Sequence, residues 1–290
     1  MKKGILYVLC LSCVTTFAQK ESDQRPMAPK GIQVPSIRTD DKLVKKEIFQ
    51  QFLDTANVKG AILLYDFTNE TYYSNNFGWA VRGHLPASTY KIPNSIIGLE
   101  TKEVTDQQTV FAWNGKKRMF KSWEADLTLQ QAFQRSCVPC YQEVARKIGV
   151  KRMNEYLEKL QYGNITVTAS NLENFWLTGE AKITQFEQID FLKRLQQETL
   201  PISKRTTAIV KEIMILKETK NYVLRGKTGL SINGDHNNGW FVGYVESNDQ
   251  LIFFATNVEP TQKDFDRKKF QDNRKRITYS ALENLFGIRF

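Results

Sequence analysis

Two strand-rich ends enclosing a helical middle constrain this 290-residue chain more than any other feature. Near the start, "GAILLYDF" (60–67) and "TYYSNN" (71–76) flank Thr68, Asn69 and Glu70 and read as a strand pair. After residue 220, "NYVLRGKTGLSI", "GWFVGYVES" and "QLIFFATNVE" are rich in aromatic and β-branched residues, and "SNDQ" (247–250) turns between the last two. From Pro93 to about Lys220 the pattern is mostly helical, clearest in "DLTLQQAFQRS", "YQEVARKIG", "VKRMNEYLEKL" and "TQFEQIDFLKRLQQE", with Asp126 or Thr128 as cap of the first. Helical spacing also runs through 42–56, with apolar residues at 44, 48, 52 and 53, and a final helix in "KRITYSALENLFG" ends at Gly287. The expected fold is of the α/β (α+β) class: an antiparallel sheet closed by the two ends of the chain, flanked by terminal helices, with a helical subdomain inserted at about 93–220. Functional groups then belong at the seam between sheet and subdomain.

The first residues fit a secretory signal peptide, 1–18: Lys2 and Lys3, an apolar run from Gly4 to Phe17, then Thr16 and Ala18 at the small-residue positions of a cleavage site before Gln19. Fourteen apolar residues are short for a bilayer, which takes ~20. A lipoprotein leader ending at Cys13 is the minor alternative, since the residues before it fit poorly. No later stretch is apolar enough to span a membrane. Residues 19–36 are polar with three prolines and read as an extended arm, leaving 37–290 as one catalytic-size domain. The expected location is the periplasm, with no stable membrane partner.

The formal charge is +10, and without the leader lysines 39 basic residues face 31 acidic ones. The basic residues are scattered apart from "KDFDRKKFQDNRKR" (263–276), which reads as a solvated loop and helix start. No nucleic-acid motif accompanies them, which excludes nucleic acid as partner and leaves anionic small molecules as the class the charge favours. Oligomeric state is not encoded in any pattern here.

Chemistry concentrates in "PASTYKIPNS" (86–95), where Ser88 and Lys91 stand three residues apart in apolar surroundings. On a helix, positions i and i+3 share a face ~5–6 Å apart. A serine nucleophile needs a base, and a lysine buried among apolar groups is driven toward its neutral, basic form. Pro93 requires the helix to start near Ser88, which also aims free backbone N–H groups at the serine, where an oxyanion forms. The only histidines are His84, in the loop before Ser88, and His236, in "NGDHNN"; a Ser-His-Asp triad is the weaker reading because Lys91 is nearer.

A second element, Lys227-Thr228-Gly229, sits in a predicted strand. "RGKTG" imitates the end of a phosphate-binding loop, but Asn221 stands where that loop needs glycine and no helix follows. The better reading is an exposed edge strand offering a charge, a hydroxyl, and at Gly229 room for a ligand to approach the backbone. The third element is Ser136-Cys137-Val138, between two helical stretches, with a hydroxyl placed to relay a proton.

In order, S-x-x-K, S-x-V and K-T-G form the arrangement of the penicillin-recognising serine enzymes. The details resemble the class D (OXA-type) β-lactamases: "STYK" (88–91), with tyrosine where phenylalanine is commoner; Ser136-Cys137-Val138; Tyr162-Gly163-Asn164; "NFWLTG" (174–179) supplying Trp176; "GWFVGYVE" (239–246) after K-T-G; and a last helix carrying Arg274. The likeness runs from about residue 40 to the end.

That resemblance implies opening of a β-lactam ring through an acyl-enzyme on Ser88, with Ser88 and Leu230 N–H groups as the oxyanion hole. It implies Lys91 as N6-carboxylysine, its carbamate formed with CO2 in an apolar pocket of Val138, Trp176 and Leu177, with the Trp176 N–H as donor. It implies Ser136 in proton relay, and Lys227, Thr228, Gly229 and Arg274, rather than Arg276, around the substrate carboxylate. No metal and no cofactor beyond that carbamate is expected. Rivals are a β-lactam sensor domain that stays acylated, normally placed behind membrane spans that this chain lacks, and a peptidoglycan DD-peptidase, against which S-x-V and the short length argue. After loss of the leader two cysteines remain, in "CVPC": either two small buried side chains or a disulfide stiffening the Ser136 turn.

Overall fold

The computed structural model describes Met1 and residues 41–232, 237–247 and 249–290; the leader, the arm and His236 lie outside the described residues. Strands with apolar residues on both faces build its centre. β1 (Lys42–Lys45), α1 (Glu47–Thr55), β2 (Val58–Asp66) and β3 (Thr71–Ser74) come first. β6 (Ile215–Glu218), β7 (Tyr222–Ser231), β8 (Asn238–Ser247), β9 (Leu251–Pro260) and α8 (Arg267–Phe286) come last. They form one seven-stranded sheet in the order β1-β3-β2-β9-β8-β7-β6. The two ends of the chain do close it: β2 and β9 pair antiparallel from Val58 opposite Pro260 to Asp66 opposite Ile252.

Period-two alternation then splits the side chains. Leu63, Tyr65, Trp240, Val242, Tyr244, Phe253 and Ala255 face the helical subdomain. Ile62, Leu64, Phe241, Val245, Ile252 and Phe254 face α1 and α8. Each such side chain stabilises the fold by roughly 1.5–3 kcal/mol when fully buried. The last helix stops where Gly287 adopts the left-handed conformation (φ 70°).

Between the ends lie α2 (Phe77–Ala80), a 3₁₀ turn over Ala87–Tyr90, α3 (Lys91–Glu100), β4 (Val110–Phe111), a 3₁₀ turn over Lys121–Trp123 and β5 (Leu127–Thr128). There follow α4 (Leu129–Gln134), α5 (Val138–Leu160), α6 (Gln185–Gln196) and α7 (Lys204–Ile213). Thr128, not Asp126, caps α4, in a reciprocal capping box with Gln131. The two helical segments read at 141–149 and 150–160 are two helices that adjoin at Gly149 within α5, where a φ of 78° and ψ of 164° break the helical backbone.

The structure corrects several expectations. Residues 42–45 are a strand rather than the start of a helix, because β1 pairs parallel with β3, so the sheet is not wholly antiparallel. The stretch 93–220 is less helical than its pattern suggests: β4 and β5 pair with each other, β6 joins the main sheet, and 161–184 contains no helix or strand. β7 is not the edge strand, since β6 lies outside it. That pairing covers only Val223–Arg225, however, so the second half of β7 has no β6 partner and faces the subdomain. Among the described residues no helix is long and apolar enough to cross a membrane.

Candidate active site

Ser88 does not stand inside the α-helix. It occupies the 3₁₀ turn that precedes α3, and Lys91 is the first α-helical residue, with Pro93 in the first turn as its lack of an N–H requires. Entry into the turn uses Ala87 in the left-handed region (φ 50°), a conformation that costs a non-glycine residue about 1–2 kcal/mol. Neighbours hold it there. Trp240 Nε1 and Asn238 Nδ2 both donate to the Leu85 carbonyl at 2.9 Å, Thr89 Oγ1 donates to Pro86 O at 2.7 Å, and Gln188 Nε2 donates to Thr89 Oγ1 at 2.9 Å.

Gly229 completes the clamp. A Cβ there would lie 3.0 Å from Pro86 O and 3.2 Å from Thr89 Cγ2. The space that the sequence reading gave to a ligand is therefore taken by the protein's own Ser88 turn, and glycine lets β7 press against it.

Lys91 Nζ donates to Ser88 Oγ at 3.1 Å. The lysine is completely buried, and burial pushes its pKa down from 10.5 to about 7. Its surroundings are α3, where Lys91 to Leu99 are all buried, and Tyr141, whose ring centre is 5.1 Å from Nζ. The Tyr141 hydroxyl is occupied with Ser95 Oγ at 2.7 Å. Sequence reasoning missed Tyr141, which looked like one more apolar position of a helix.

Trp176 is fully buried and stacks on Tyr90, the chain neighbour of Lys91, at 5.7 Å and 19°. Its indole N–H has no hydrogen-bond partner among the described residues. An orphan donor in an apolar interior costs about 1–3 kcal/mol. A buried lysine pushed toward its neutral form, and a buried donor without an acceptor on the ring stacked against its chain neighbour, fit a carbamate on Lys91.

Lys227 donates to Ser136 Oγ and, at 3.0 Å, to its neighbour's carbonyl, Thr228 O. Burial, then the positive charges of Lys91 and Arg274, hold its pKa well below the ordinary lysine value. Arg274 reaches from α8 to the Gly229 carbonyl; its Nε has no partner among the described residues, and burial lowers its pKa to about 10. Arg276 is exposed and lies away from these groups. Among the described residues, none of Lys91, Lys227 and Arg274 forms a salt bridge.

These groups surround a cleft of about 660 Å³. Ser88, Ser136, Val138, Thr228, Leu230 and Arg274 line it; Gly229 does too, while Lys91, Lys227 and Trp176 lie behind its wall. Ser136 takes a left-handed φ of 52° at the end of α4, and the next residue, Cys137, caps α5 and is joined to Cys140 by a disulfide. His84 is elsewhere: it stacks on Trp79 at 5.1 Å, and burial with nearby Lys182 and Arg82 lowers its pKa to about 4. Arg118, Phe120 and Trp123 wall the cleft from the loop around 111–123, where the sequence places the choice among substrates, and sequence reasoning missed Arg135, which stands at the end of α4 and read only as part of a helix.

The penicillin binding protein transpeptidase domain family matches residues 57–283. β-Lactamase OXA-5 of Pseudomonas aeruginosa is 39% identical over 229 residues, which cover 78% of this chain and 84% of that protein. The crystal structure of a class D β-lactamase from Sebaldella termitidis superposes with a TM-score of 0.81 at 35% identity, covering 86% of this chain and all of that one. The C-terminal domain of the Bacillus licheniformis BlaR penicillin receptor gives 0.78 at 28% identity, over 85% and 98% of the two chains. With the motifs in order, the cleft formed and relatives of this identity across most of its length, the chain belongs to the class D β-lactamase family of penicillin-recognising serine enzymes.

Proposed function

We propose that the protein hydrolyses β-lactams through an acyl-enzyme on Ser88. The observation that carries this reading is the 3.1 Å contact between Ser88 Oγ and a fully buried Lys91 whose pKa has fallen to about 7. A serine hydroxyl is activated by a base within hydrogen-bond reach, and Lys91 becomes that base, as the amine or after adding CO2, only from its neutral form. Arg274, Thr228 and Lys227 orient the substrate by its carboxylate, a contact the unpaired charges favour. Ser88 Oγ adds to the lactam carbonyl, backbone N–H groups of Ser88 and Leu230 take the developing oxyanion, and the ring C–N bond breaks. The proton that left Ser88 for Lys91 passes by way of Ser136, held by Lys227, to the departing nitrogen. Water then cleaves the ester and restores Ser88.

Lys91 and Trp176 would hold a CO2-derived carbamate, which supplies an oxygen base for both halves of the cycle. Val138 and Leu177 flank the site and limit water. The leader read in residues 1–18 supports the periplasm as the site of this activity.

Likeness to the BlaR receptor domain favours a second reading, in which Ser88 is acylated and stays so. One experiment separates the two. Incubated with a penicillin, the protein should turn over many equivalents, and Ser88→Ala should abolish both turnover and the covalent adduct, located by mass spectrometry on the Ser88 peptide. A single stoichiometric burst would support the receptor reading. An adduct on another residue would remove Ser88 from the mechanism.

A further inference from the structure

Arg274 with Lys227 and Thr228 provides for one substrate carboxylate, yet the cleft lining contains three further arginine or lysine side chains from its other walls, Arg118, Arg135 and Lys117, besides Arg267 on α8. No carboxylate lines it among the described residues. The acid beside this wall, Glu124, is committed: it accepts from Lys121 Nζ at 2.8 Å and from the Arg118 backbone N–H at 3.1 Å. Arg118 and Arg135 form no salt bridge among the described residues.

Both arginines are held in place. One Arg118 amino group donates to Trp123 O at 2.7 Å, and one from Arg135 to Ser122 O at 3.2 Å. The Arg135 carbonyl accepts the Trp123 indole N–H at 2.8 Å, and Trp123 is only 6% exposed. A guanidinium has five N–H donors, so each retains donors after this anchoring. An arginine already fixed loses less freedom when it takes an anion. The same wall presents Met119 and Phe120, 77% and 43% exposed, as an apolar surface beside the charges.

We propose that this cleft selects β-lactams whose acyl side chain carries a second anionic group next to an apolar one, with Arg118 and Arg135 taking that second charge. The inference rests on the β-lactamase reading above. The competing role for the two arginines is to brace the loop over 118–123 and nothing more.

Benzylpenicillin and its α-carboxy derivative have the same reacting nucleus and differ by one side-chain carboxylate. The test compares their kcat/KM on the purified protein, on Arg118→Gln, Arg135→Gln and the double variant. The carboxylated substrate should be preferred, and the double variant should reduce that preference about fivefold to tenfold, chiefly through KM, as two partly exposed charge contacts imply. In the unmodified protein, raising salt to about 0.5 M should lower kcat/KM more steeply for the doubly charged substrate. This arm stands even where a variant fails to fold. Equal losses for both substrates, or no difference in salt dependence, would reduce the arginines to loop braces and overturn the inference alone. Hydrolysis of neither substrate would overturn the β-lactamase reading and this inference together.

Discussion

Asp66 at the end of β2 and Lys91 at the start of α3 are both buried charges, and their surroundings differ in kind. Asp66 accepts from the backbone N–H groups of Thr68 and Asn69 at 3.1 and 3.2 Å and from Asn69 Nδ2 at 2.7 Å, which closes the β2–β3 turn. Its capacity is used. At the cleft, Lys91 contacts Ser88 Oγ; among the described residues the Trp176 N–H and the Arg274 Nε lack partners, and Lys91, Lys227 and Arg274 meet no salt-bridging acid. Three donors closing on one carboxylate is what a turn built for stability looks like. Donors and cations without acceptors cost stability, and a fold retains them where a ligand completes them. The orphan hydroxyl of Tyr222, far from the cleft on the α8 side, shows that one vacancy alone is no sign of a site; the convergence of several is.

The largest effect that tests this contrast comes from Trp176→Phe, which keeps an aromatic ring against Tyr90 and removes the orphan donor together with part of the indole's volume. If that donor serves a carbamate, the labelled carbon-13 signal on Lys91 should vanish and deacylation should slow by about 10–100-fold, more than acylation, as loss of an outer partner of a reacting group does. Bicarbonate should restore part of the rate. An unchanged carbon-13 signal would make the Trp176 vacancy as incidental as that of Tyr222.

Arg274→Gln is expected to act less strongly and on a different constant. A charge-assisted contact contributes about 1.5–3 kcal/mol, so KM should rise at least about tenfold while kcat changes little. A fall in kcat at constant KM would mean that Arg274 only props the Gly229 carbonyl, and would move the cleft toward the closed, structural side of the comparison.

What the sequence disclosed divides along the same line. Ser88 and Lys91 were legible because three residues of separation fix their relation locally. The β2–β9 closure was legible because long apolar alternation needs a buried sheet. β1 and β6 were hidden: both are short edge strands with nearly all residues exposed, so no alternation marks them. The 3₁₀ turn at Ser88 was hidden because Ala87, not glycine, takes the positive φ. Arg118 belongs to irregular backbone and Arg135 to the end of α4, and in neither place does charge alone separate a cleft wall from a solvated surface. In "CVPC" the residues permitted either outcome, and the structure joins Cys137 to Cys140.

The finest test sets the two buried charges against each other in stability alone, in CO2-depleted buffer so that the amine itself is read. Asp66→Ala leaves three donors without their acceptor and should lower unfolding free energy by about 1–3 kcal/mol. Lys91→Met should do the reverse. Lys91 titrates near 7 in the folded protein and near 10.5 in the unfolded chain, so between those values the unfolded state binds more protons. Stability contributed by this group therefore rises with pH from about 7 to 10.5, and the full penalty of burying it is present below that window. Methionine removes the penalty at similar volume, which should stabilise the protein by roughly 2–4 kcal/mol at neutral pH while abolishing turnover. The advantage should shrink as pH rises and end above 10.5, where lysine is neutral in both states. Urea unfolding of the two variants at three pH values reads this directly. If Lys91→Met destabilises at neutral pH as Asp66→Ala does, the cleft lysine is as well satisfied as the turn carboxylate, and the distinction between the two regions fails.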